Sequence, residues 1–89
     1  MSSARDQVLI DSFATVVRET RAREGFSQEQ LAAAVGVDRT YIGLLEAGKR
    51  QPTLSVICAL EAAFKLSPGV LVKRAYKLYK PTNAREKRV

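Results

Sequence analysis

No histidine occurs among the 89 residues, and Cys58 is the single cysteine. A His-bearing catalytic triad, a mixed His/Cys zinc site and an internal disulfide framework are therefore excluded. The chain also lacks a phosphate-binding glycine motif and any cluster of acid, base and nucleophile, so no enzyme, cofactor or metal is expected. Long apolar runs are missing too. The longest charge-free stretch, Gln51 to Leu60, falls well short of the roughly 20 residues of a membrane helix. Near the N-terminus, Arg5 and Asp6 stand where a signal peptide would carry its apolar segment. The expectation is a soluble cytoplasmic domain with no membrane partner.

What is present suits one small globular domain: 46% of residues are apolar and 27% are charged. The net charge is +6, and it is unevenly placed. Residues 73–89 hold Lys73, Arg74, Lys77, Lys80, Arg85, Lys87 and Arg88 against Glu86 alone, which accounts for the whole excess. A polyanionic partner would explain it, and so would a solvated, frayed tail. The division expected is a folded domain over 1–79 followed by a flexible basic tail over 80–89.

Helical spacing recurs along the chain and strand alternation does not. Ile10, Phe13, Ala14, Val17 and Arg21 mark a first helix, stopped by Gly25. Ser27 with Gln30 forms a capping box that opens a second helix, with Leu31 and Val35 inward and Gly36 at its end. Asp38 caps a third helix bearing Ile42, Leu45 and Glu46 on one stripe, ending at Gly48. Thr53 starts a fourth, with Leu54, Ile57, Leu60, Glu61 and Phe64 along it. Ser67-Pro68 predicts the start of a fifth, reaching about Tyr79. The fold class is all-α, with five short helices.

Residues 28–47 carry the most informative pattern: two short helices joined by a tight turn containing Gly36, the helix-turn-helix unit. Leu31, Val35, Val37, Ile42 and Leu45 are apolar where the two helices meet. That packing leaves Arg39, Thr40, Gly43 and Leu44 on the outside of the third helix. Three runs complete the pattern: Ser27 to Ala32, Gly36 to Ile42, and Leu45 to Leu54. In them the chain resembles the XRE/lambda-repressor-like family over about Phe13 to Val72 and, within it, the controller proteins of restriction-modification systems.

The resemblance implies a compact five-helix domain that binds double-stranded DNA, usually as a homodimer, and regulates transcription. The third helix would enter the major groove, with Arg39, Thr40, Gly43 and Leu44 at the family's base-reading positions. Arg39 suits guanine O6 and N7 as well as a phosphate, and Thr40 or Leu44 suits a thymine methyl. Gly43 offers no side chain. Gln28, Tyr41, Lys49, Arg50 and Gln51 are the candidate phosphate contacts, although the last three also read as an ordinary exposed turn. An antitoxin-type module of the same fold, binding a partner protein and its own operator, is the alternative.

Arg21 and Glu46 lie on inward stripes, and a buried charge needs a partner, so the two are expected to form a structural ion pair. The resemblance implies the same pairing. On the fifth helix, Leu71, Ala75 and Leu78 form one stripe while Val72, Tyr76 and Tyr79 form a second, which is the candidate dimer surface. Cys58, mid-helix beside Ile57, reads as a small buried hydrophobe.

Overall fold

The computed structural model describes residues 5–79; the tail over 80–89 lies outside the described residues. Five helices follow one another: α1 Gln7–Arg23, α2 Gln28–Val35, α3 Arg39–Glu46, α4 Leu54–Ala63 and α5 Val70–Leu78. No strand is present among the described residues. Four of the starts are set by local side chains. Asp6, Ser27, Asp38 and Thr53 each accept a hydrogen bond from the backbone N–H three residues on. At α2 the capping box is complete, with Gln30 accepting in return from the Ser27 N–H at 2.8 Å.

α1 runs along α5 and crosses α3, while α2 packs on α3 and α4. Between them lie Phe13, Val16, Val17, Leu31, Ala32, Ile42, Leu45, Leu60, Phe64, Leu71 and Ala75. Leu31, Ile42, Leu60 and Leu71 are fully enclosed, so truncating any of them to Ala costs roughly 2–5 kcal/mol. Gly36 ends α2 at φ 90°, a left-handed turn residue that lets α3 fold back on α2.

The structure corrects the sequence reading at the C-terminal end. α5 does not start on Ser67-Pro68; it starts at Val70 behind Gly69 and has no side-chain cap of its own. The buried carboxylate of Glu61, on α4, supplies the acceptor instead, taking the Gly69 N–H at 2.9 Å and the Leu71 N–H at 3.0 Å. Leu78, read as inward, is exposed, whereas Tyr79, read as outward, is buried. The cause is that the helix stops at Leu78. Tyr79 takes extended backbone (φ −70°, ψ 128°), and its hydroxyl donates to the Asp6 carboxylate at the start of α1.

Cys58 is corrected as well: it is exposed, and so is Leu54 one turn before it on α4. α4 is apolar on several faces; Leu60, Glu61 and Phe64 are buried, and Val56, Ile57 and Ala63 pack partly buried against the core, which leaves Leu54 and Cys58 outside. A helix with surplus apolar residues gives no periodic signal to say which of them face inward.

Candidate nucleic-acid interface

α3 has a held side and an open side. On the held side, α1 grips its C-terminal end through several polar contacts. Arg21 Nε donates to Glu46 Oε2 at 2.6 Å and its Nη2 to Oε1 at 3.1 Å, a two-pronged pair between α1 and α3. The Glu46 side chain is 4% exposed and that of Arg21 is 18% exposed. The hydrogen bond that Arg21 donates to Glu46 raises the Arg21 pKa above the ordinary arginine value, so the guanidinium stays charged. Arg21 also donates to the Phe26 carbonyl at 3.0 Å, which ties down the segment between α1 and α2.

Two further contacts hold this end. Arg18 Nη1 donates to the Glu46 carbonyl at 2.8 Å, placing a cation where the dipole of α3 ends negative. Gln7 Nε2 reaches the Gly48 carbonyl at 2.8 Å. Gly48 has φ 74°, a left-handed backbone that favours glycine, and the Asp11 carboxylate lies against the position a side chain there would take. The exit of α3 is thereby fixed against α1. Arg18 and Gln7 escaped the sequence reading because their partners are backbone carbonyls 28 and 41 residues away.

The open side carries Arg39 and Thr40, both exposed, with Gly43 and Leu44 half-buried behind them. Arg39 Nη1 donates to Gln28 Oε1 at 3.0 Å, and Gln28 Nε2 donates to Glu46 Oε1 at 3.0 Å. A continuous chain of bonds therefore runs Arg21–Glu46–Gln28–Arg39, from the core to the surface. The Gln28 amide is engaged within the protein at both ends instead of standing free at the start of α2. Lys49, Arg50 and Gln51 are exposed immediately after α3, so the open side is bordered by positive charge.

Tyr41 is placed differently from the other candidate phosphate contacts. Its ring is half-buried beneath the Arg50 guanidinium, 5.3 Å from the ring centroid, and its hydroxyl is buried with no hydrogen-bond partner. In this arrangement the hydroxyl does not face solvent, and Arg50 is the group displayed there. Gly43 stands in the middle of α3, where glycine costs about 1 kcal/mol relative to alanine.

Helix, tight glycine turn and second helix with an exposed outer side define a helix-turn-helix protein. A helix-turn-helix family model matches residues 17–71, and the chain belongs to that family, the XRE-type DNA-binding regulators of transcription. Its relatives include control protein C.SmaI of Serratia marcescens, 42% identical over 62 residues, which covers 68% of this chain and 74% of the relative. The restriction-modification controller protein C.AhdI of Aeromonas hydrophila is similar in structure, with 39% identity and a TM-score of 0.67. That match covers 70% of this chain and 94% of C.AhdI. The controller protein C.Esp1396I, crystallised as a tetramer with its natural 35-base-pair operator, matches at 27% identity and a TM-score of 0.71. It covers 80% of this chain and 93% of its own.

Proposed function

We propose that the protein is a controller-type regulator that places α3 in the major groove of an operator as a homodimer. The observation that carries this reading is the asymmetry of α3. Its inner side is locked to α1 and α2 by Glu46, while its outer side presents Arg39 and Thr40 beside the basic turn of Lys49 and Arg50. Arg39, Thr40 and Leu44 read bases in this scheme, and Lys49, Arg50 and Gln51 contact phosphates. Gln28 positions Arg39, and Tyr41 supports Arg50. The protein then acts in the cytoplasm by occupying DNA, with no catalytic step.

A single α3 reads about one half-site, which gives limited specificity over competing DNA. The second copy is assigned to the apolar face of Val72 and Tyr76 on α5, both exposed. Tyr79 is not part of that face, since its ring is buried within its own chain. The tetramer of C.Esp1396I on its operator supports assembly of such chains on DNA.

Selection of bound sequences from a random duplex pool, followed by footprinting, tests the proposal. The expected result is a two-fold symmetric site whose half-sites are centred about 34 Å apart, one turn of the duplex. Enrichment of no sequence would overturn it.

A further inference from the structure

Four of the chain's five glycines, Gly25, Gly36, Gly48 and Gly69, have positive φ, which accounts for glycine at those positions. Gly43 does not. It sits inside α3, and a Cβ built on it would meet nothing within 4 Å. Neither backbone geometry nor space inside the molecule calls for glycine, and alanine would favour the helix. What sets Gly43 apart is its outer surface, where a group approaching α3 from outside meets backbone in place of a side chain.

The surroundings of Gly43 indicate what that is. Arg39 and Thr40 precede it by one turn and are exposed, and Leu44 is beside it, half-buried. The Arg39 guanidinium is drawn aside to Gln28 at 3.0 Å. What Gly43 itself presents is bare helix backbone with open space over it, beside Leu44. That spot has room for a small apolar group, and Gly43 offers it no side-chain hydrogen bond. In the major groove the group of that kind is the thymine 5-methyl.

We propose that Gly43 is a specificity-determining notch that receives one thymine 5-methyl group per half-site. The inference rests on α3 being the groove-inserted helix. A methyl group on the base and a Cβ on residue 43 are alike in size and compete for the same space. Adding one therefore excludes the other, and removing the base methyl makes room for the side chain.

The test combines Gly43→Ala with deoxyuridine, placed singly at each thymine of an operator selected by the unaltered protein. Gly43→Ala should melt roughly 4–8 °C higher, because the helix gains and nothing clashes. It should bind the thymine operator at least about fivefold more weakly, as for one mismatched base pair. Deoxyuridine at one thymine of each half-site should restore Gly43→Ala binding and weaken the unaltered protein. Unchanged operator affinity of Gly43→Ala would overturn the notch, and so would a loss that no deoxyuridine restores. A lower melting temperature would overturn it by making Gly43 structural. If the unaltered protein enriches no duplex at all, the DNA-binding reading falls first and the notch with it.

Discussion

The helix-turn-helix over 28–47 and the α4–α5 region over 54–79 solve the same problem in different ways. Each contains a buried glutamate, Glu46 at 5% and Glu61 at 3% exposure. Glu46 is met by a charged partner and an amide, Arg21 and Gln28, and so links three helices. Glu61 is met by two backbone N–H groups and so substitutes for a missing cap. The first arrangement fixes the orientation of an exposed helix. The second only fixes where a helix begins. A carboxylate paired with a side chain has two charges to lose, whereas one paired with backbone has one.

The comparison breaks first at Glu46. Glu46→Ala leaves Arg21 largely buried without its carboxylate and should destabilise the domain by about 3–5 kcal/mol in denaturant unfolding. A loss below 1 kcal/mol would mean that the pair does not organise α3. Next comes Glu61→Ala, which leaves the N–H groups of Gly69 and Leu71 without acceptors. The expected cost is about 1.5–3 kcal/mol, with Glu61→Gln costing less because its carbonyl oxygen still accepts. Equal costs for Glu61→Ala and Glu46→Ala would erase the distinction between the two regions.

The two regions also differ in how legible they were. Asp38, Ser27 and Thr53 act on backbone three residues away, so their caps are readable from adjacent letters. The start of α5 was not readable, because its cap comes from Glu61 on another helix and displaces the local Ser67-Pro68 signal. Tyr79 differs from its periodic position because helical spacing continues past Leu78, where the backbone leaves the helix. On α3 the stripe of Ile42, Leu45 and Glu46 separates inner from outer residues by spacing alone. The Gln28–Arg39 bond and the burial of the Tyr41 hydroxyl depend on rotamers that spacing does not specify.

Arg39 sharpens the proposed division between held and open sides of α3. Arg39→Ala removes an exposed side chain, so stability should move by no more than about 0.5 kcal/mol. Binding to the selected operator should fall by roughly 1–3 kcal/mol, with preference relaxed at one base pair of each half-site. An equal loss on operator and random duplex would assign Arg39 to a phosphate.

The smallest effect on the isolated fold is expected at the apolar surface of α5, where Val72 is 43% and Tyr76 56% exposed. An exposed residue contributes little to the core of its own chain, so Val72→Asp with Tyr76→Asp should leave a folded, five-helix monomer. Their cost falls instead on assembly. Carboxylates introduced on both copies would face each other in an isologous contact and lose hydration there. Sedimentation at tens of micromolar should then show the unaltered chain as a dimer and the double variant as a monomer. Affinity for a two-fold operator should drop while affinity for a single half-site stays the same, because Arg39 and Thr40 lie on a different helix. A double variant that remains dimeric would move the interface away from Val72 and Tyr76. An unaltered chain that is monomeric, yet binds the full operator without loss, would remove dimerisation from the mechanism.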